Sequence, residues 1–420
     1  MRDVLTSTEA SATISDEQHL RKGVVPPGAR GHVCMIAYTF YAFDARVRRE
    51  AETLVSHGFR VRFLTPRAGD KAARFLMNGV EVRELPIAKY RGKSRLAYLA
   101  SYVWFAFAAS AVCLSLAIRR QIDVVHVHNL PDFLVIAAIL PRLLGSKVVL
   151  DVHDSIPETF ATKFSSSSIF WRALCLEERL SALVAHRVIC VNHPQREALV
   201  ARGISRSKTF ISMNVPDPAI FSDGVPGVST EGADSTFNLV YHGTMSKRLG
   251  VDLIIRAFAQ LRDRLPMARL HLWGAGDDAE AFLGLVRELK LTEQVTLNMQ
   301  GFPLQELPQL LRSMHVGVVG NRRSAAADLM LPVKLLEYVS LGIPAVVPRL
   351  RTIEHYFSDD MVLYYEAEDV DSLAAALHRL HCQPDSRREQ ARRAQAFLAQ
   401  YGWERQGPEL AALYASLVSH

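Results

Sequence analysis

The chain has 420 residues, 49% of them hydrophobic and 22% charged, with a formal net charge of +6. That length exceeds one common-sized core and favours two or three domains, and the composition is that of an ordinary globular protein. The mild basicity favours anionic ligands or an anionic lipid surface, while the lack of a dense Lys/Arg stripe interleaved with aromatics excludes nucleic acid as the expected partner.

Residues 1–28 are rich in Ser, Thr and Glu, lack a signal peptide's apolar core and are expected to form a disordered tail. Residues 32–40 read as a buried strand. Asp44 reads as the cap of a helix that turns Ala51, Leu54 and Val55 inward and closes at Gly58, and residues 59–64 read as the next strand. This βαβ unit implies a parallel sheet. The loop from Tyr38 to Asp44 then takes the crevice position at a strand's carboxyl end.

Residues 98–118 carry no charge and are flanked by Arg95 and by Arg119-Arg120. The run is long enough to span a bilayer. Its alanines and serines dilute it, and the same sheet resumes directly after it, so a packed or membrane-touching helix is expected.

Residues 122–128 form a strand with His126 and His128 on one face. No third or fourth ligand is evident nearby, so zinc is not expected. A further strand ends in Asp151-Val-His-Asp154, followed by Ser155-Ile-Pro-Glu158. Asp151, His153, Asp154 and Glu158 are expected to gather there as a polar wall beside the histidines. A helix over 171–185 and strands over 187–191 and 210–213 complete this half. Five scattered cysteines without a C-x-x-C pair read as reduced and cytosolic.

Residues 222–236 are turn-rich and polar and make the best linker. Strand and helix then alternate again, with strands over 237–242, 268–273, 295–299 and 316–319. A helix over 251–265 buries Val251, Ile254, Ile255, Phe258 and Leu261. Such alternation on both sides of a linker predicts two doubly wound domains facing each other. The expected boundaries are a first domain over 29–221 and a second over 237–400, with a C-terminal helix over 401–420.

The turn Gly243-Thr-Met-Ser-Lys-Arg-Leu-Gly250 joins a strand to a helix. It can cradle phosphate through backbone N–H groups, with Lys247 and Arg248 adding charge. Gly274-Ala-Gly-Asp-Asp278 is either a nucleotide-approaching loop or a tight turn with Asp as cap. Asp369-Val-Asp371 reads as a helix cap rather than a metal-binding D-x-D.

In Leu331-Pro-Val-Lys-Leu-Leu-Glu-Tyr-Val-Ser-Leu-Gly-Ile-Pro344, Pro332 suits a helix start and Gly342 a left-handed helix end, and Lys334 shares a face with Glu337. This pattern resembles the donor-site motif of glycosyltransferase family 4. Those are retaining transferases with two Rossmann-like domains in the GT-B arrangement and a C-terminal helix that crosses back to the first domain. The resemblance implies that Glu337 binds ribose hydroxyls, that Arg248 and Lys334 hold the leaving diphosphate beside the helix start at Pro332, and that Gly243, Lys247, Gly274 and Phe302 contact the donor. It places His128 beside the donor sugar. Asp44, His126, His153, Asp154 and Glu158 fall on the acceptor side.

One departure concerns the second acidic residue of the motif, whose position is held here by Leu329, with Asp328 as the neighbouring substitute. The glycine pair of the first loop is also missing, and Tyr38 to Phe40 stand in its place. The expectation is metal-independent, retaining transfer from a nucleoside-diphosphate sugar to a glycan or lipid-linked acceptor. It needs no cofactor and takes place in the cytoplasm or at the inner membrane face. A sugar-nucleotide epimerase of the same architecture and an inactive sugar-nucleotide-binding scaffold stay open as alternatives.

Overall fold

The computed structural model describes residues 29–69, 72–90, 92, 94–161, 169–221 and 236–419. The expected tail and all but the last residue of the expected linker lie outside these. The chain divides into two α/β units. The first runs up to Asp151 and includes residues 184–186 and the segment from Leu410 on; the second comprises 152–183 and 187–409.

In the first unit, β1 (His32–Ile36), β2 (Arg60–Arg67), β3 (Arg74–Met77), β4 (Val80–Ala88), β5 (Val124–His128) and β6 (Lys147–Val152) lie in the order β3-β4-β2-β1-β5-β6. All these neighbours pair parallel except β3 and β4, an antiparallel hairpin turned by Asn78 (φ +49°) and Gly79 (φ +82°). An Asn-Gly pair adopts the positive φ angles that a two-residue hairpin turn demands. The helix Ala45–Ser56 crosses from β1 to β2, capped by the Asp44 carboxylate, which accepts from the Val47 N–H at 3.4 Å. The uncharged run is a helix, Arg95–Ile118, that buries Phe105, Ala109 and Cys113 against the unit.

In the second unit, β7 (Arg187–Cys190) and β8 (Thr209–Ile211) pair parallel. A separate sheet holds β9 (Phe237–His242), β10 (Ala268–Trp273), β11 (Val295–Asn298), β12 (Val316–Val318), β13 (Ala345–Pro348) and β14 (Leu363–Tyr365), in the order β11-β10-β9-β12-β13-β14. Its ladders are parallel throughout. The helix Val251–Leu261 follows Gly250 (φ +67°) and buries Val251, Ile254, Ile255, Phe258 and Leu261 in the core, as its periodicity predicts. The helix Val333–Ser340 begins after Pro332, and Gly342 (φ +67°) turns the chain into β13.

Candidate active site

The second sheet's order reverses between β9 and β12. Ligands of open parallel sheets bind beyond the strands' carboxyl ends at such a reversal. Gly243 follows β9 with φ +115°, and its N–H donates to the Trp273 carbonyl at 2.8 Å. The Met245 N–H donates to the Ala275 carbonyl, also at 2.8 Å, so two loops meet backbone to backbone. A Cβ on Gly274 (φ +146°) would lie 1.9 Å from the Gly243 carbonyl oxygen, so no other residue fits. Asp278 does not cap the helix Ala279–Glu288. Its carboxylate instead accepts from the Lys247 N–H at 2.7 Å and fixes the basic turn.

Lys334 rises from the first turn of the helix Val333–Ser340 and packs over Gly243, with Nζ 4.6 Å from the centre of the Tyr241 ring. Burial brings Lys334 down to about 8; Glu337 opposes this, and Arg248 adds to it from the exposed turn after β9. Glu337 is 8% exposed, and burial pushes its carboxyl up to about 7 against the pull of Lys334.

His242 Nε2 lies 3.3 Å from Glu337 Oε2 without hydrogen-bond alignment. Burial, then Lys334, hold His242 down to about 3, so at neutral pH it carries no charge and this approach is no ion pair. A lysine and a carboxyl held near half-titration make an unfinished site: an anion would favour charged Lys334, and hydroxyl donors would favour ionised Glu337.

Around this pair, Phe302 is half-exposed and stands edge-on to Trp273, ring centres 5.1 Å apart. Pro332 is buried at the helix start, which no side chain caps. The Asp328 carboxylate accepts from the Arg351 N–H at 3.3 Å, and its carbonyl accepts from Thr352 Oγ1 at 2.6 Å, so this residue starts the helix Arg351–Tyr356. Leu329 is buried, its carbonyl accepting from Asn192 Nδ2 at 2.8 Å. Asp369 caps its helix through the Ser372 N–H at 2.9 Å, as its sequence position implies.

Contrary to the expectation that no third or fourth ligand-type group lies near them, the histidines of β5 have two carboxylates close by, of which Asp151 is the one the sequence places beside them. His128 Nδ1 lies 3.2 Å from Asp151 Oδ2, and His126 Nε2 lies 3.7 Å from the same oxygen. Arg46 donates to Asp151 Oδ1 at 2.5 Å and to Glu50 Oε1 at 3.3 Å, and Tyr414 OH sits 2.6 Å from His126 Nδ1. Glu50, His126, His128 and Asp151 offer ligand-type atoms within 4.8 Å of one another, all buried. Arg46 already supplies both carboxylates with a cation.

Arg46 and Glu50 escaped sequence reasoning because charged residues four apart on a helix normally face water. The signal was their phase: they share the inward face with Val47, Ala51 and Leu54. The expected polar wall is also divided. Asp151 belongs to this buried network. In the second unit, Glu158 pairs with Arg202, which also bonds Glu178 at 2.7 Å. His153 is half-buried and Asp154 exposed. Asp44 is engaged as a helix cap.

A family profile described as a glycosyl transferase 4-like domain matches residues 44–213, and one described as glycosyl transferases group 1 matches residues 236–383. A phosphatidylinositol N-acetylglucosaminyltransferase subunit from Arabidopsis thaliana is 21% identical over 328 residues, covering 77% of this chain and 68% of that protein. Among solved structures, sucrose-phosphate synthase from Thermosynechococcus elongatus superposes with a TM-score of 0.75 at 17% identity, covering 93% of this chain and 99% of that one. Anabaena HepE in complex with UDP superposes at 0.68 and 14% identity, covering 92% and 100%.

Proposed function

Since the chain belongs to the group 1, family 4 type of glycosyltransferase and has the matching two-domain α/β fold, we propose that it moves a sugar from a nucleoside-diphosphate sugar to a glycan or lipid-linked acceptor. We propose further that transfer retains the anomeric configuration and needs neither metal nor cofactor. The observation that carries the donor reading is the buried Lys334–Glu337 pair beside the glycine-built crossing of Gly243 and Gly274. HepE, of like fold, was solved with UDP, and the Arabidopsis relative is named for phosphatidylinositol, which supports a lipid-borne acceptor.

In this reading Glu337 accepts from two ribose hydroxyls, as an ionised carboxylate can. Lys334, Arg248 and the N–H groups after Pro332 take the charge that develops on the departing diphosphate, with Lys247 beside them. Gly243 and Gly274 let the backbone approach the donor, and Phe302 flanks the base. His128 is the proposed catalytic group of the first unit, its ring oriented by Asp151. Asp44, His126, His153, Asp154 and Glu158 are assigned to the acceptor side, His126 and Glu158 as supports within their networks. The enzyme would act at the cytoplasmic face of the membrane as a peripheral protein.

The test is NMR assignment of the product's anomeric configuration, with EDTA present throughout. A retained configuration at undiminished rate is expected. An inverted product overturns retention, and activity lost to EDTA and restored by Mn²⁺ overturns the leaving-group assignment.

A further inference from the structure

The β3–β4 hairpin sets Arg74 directly opposite Arg83, an arrangement of like charges that weakens a sheet. With Arg62 and Arg119 they line a cavity of about 690 Å³, in which Glu81 is the acidic lining residue. Glu81 is already taken, by Arg62 at 2.8 Å and Arg60 at 3.0 Å. Arg74, Arg83 and Arg119 have no side-chain hydrogen bond or ion pair among the described residues. Repulsion of this kind is held in place by the fold and would be relieved by a bound anion.

The basin opens at the end of the helix Arg95–Ile118, which contributes Ser115 and Leu116 to its wall. Residues 96–118 are uncharged and form the one described helix long and apolar enough to cross a membrane. Its inner face is nevertheless packed into the unit, so the helix lies on the surface. The outward stripe is Leu96, Leu99, Val103 and Phe107, with Trp104 alongside; Trp104 is 68% and Phe107 63% exposed. The segment 132–144 packs against the same helix and adds Ile136, Leu140 and Leu143, the last 76% exposed. A helix that carries an outward apolar and aromatic stripe along its first half and ends at clustered arginines has the two features of a bilayer interface, where acyl chains meet phosphate.

We infer that the first unit carries an anionic phospholipid site, in which Arg74, Arg83 and Arg119 hold a headgroup phosphate while the stripe of the helix Arg95–Ile118 enters the acyl layer. This deepens the peripheral location proposed above and does not depend on the donor site. The experiment is sedimentation of the purified full chain with phosphatidylcholine vesicles, with and without phosphatidylinositol, at fixed ionic strength.

The chain should prefer the anionic vesicles. Combined Arg74→Gln, Arg83→Gln and Arg119→Gln should reduce binding to them about a hundredfold, at about fivefold per arginine, and leave the weaker binding to neutral vesicles as it was. Trp104→Ser with Phe107→Ser should reduce binding to both kinds. Where the triple variant fails to fold by circular dichroism, the single variants are each read against the fivefold expectation.

Equal binding of wild type to neutral and anionic vesicles overturns the arginine site but not the peripheral location; binding to neither overturns both. Selective displacement by inorganic phosphate over chloride would mark a soluble-phosphate site and overturn the headgroup assignment. Equal displacement by the two salts supports it.

Discussion

The affinity for a nucleoside-diphosphate sugar should have a flat optimum between pH 7 and 8, set by the titration of Lys334 and Glu337. Lys334 is held at about 8 in the empty site, chiefly by burial. A diphosphate binds the ammonium and not the amine, so each pH unit above 8 requires rebinding a proton at about 1.4 kcal/mol, or about tenfold in affinity. Glu337 sits at about 7, and below that its protonated carboxyl loses acceptor capacity, with a similar slope. The assay is calorimetric titration with a UDP- or GDP-sugar, whose phosphodiesters do not titrate near neutrality as a free nucleotide's terminal phosphate does. Lys334→Arg is the control: guanidinium stays charged, so the alkaline limb should vanish whatever happens to absolute affinity. An alkaline limb that persists unchanged in Lys334→Arg, or no limb at all between pH 8 and about 10 in wild type, would refute the assignment of Lys334 to the diphosphate.

Three further outcomes are expected. Glu337→Ala should weaken nucleotide-sugar binding by about 1.5–3 kcal/mol for each charged hydrogen bond lost, less than additively, and unchanged calorimetric affinity in a folded variant would rule out the ribose role. Glu337→Gln bears on stability: the folded carboxyl titrates at about 7 against an ordinary 4.5, so the folded state holds the extra proton between those values and stability falls as pH rises through that window. Melting temperatures from pH 4.5 to 7 should therefore decline less steeply in the variant than in wild type. Gly274→Ala should cost about 3 kcal/mol or more, because its Cβ meets the Gly243 carbonyl at 1.9 Å on a backbone with φ +146°; a melting temperature within a degree of wild type would mean that the two loops separate easily.

The second unit was the more legible in sequence, because its signals are local. Pro332 and Gly342 bound a helix by backbone geometry alone, and the apolar phase of the helix after Gly250 fixes its buried face. Gly243, Lys247, Arg248, Gly274 and Phe302 are assigned from loops that follow strand ends closely, whereas Lys334 and Glu337 lie well past β12 and are assigned from the motif around Pro332. What no local pattern could reveal was protonation: Lys334 and Glu337 look like a solvated surface pair until burial is known.

The first unit was read less well, for two separate reasons. The Asn78-Gly79 signal lay in plain view, yet the strands either side of it mix arginine and glutamate with apolar residues, and so did not read as a sheet edge. With the hairpin unread, Arg74 and Arg83 could not be seen facing each other. The histidine cluster is assembled over long range, from residues 46 and 50 on a helix, 126 and 128 on β5, 151 on β6 and 414 near the chain's end. Spacing arguments reach a strand's own neighbours and no further. They found the two histidines, whose presence in a buried strand was anomalous, and Asp151 on the neighbouring strand, and left Arg46, Glu50 and Tyr414 to the fold. That asymmetry has a physical root. Backbone geometry is set within a few residues, whereas the burial of charge is decided by whichever distant groups arrive to compensate it.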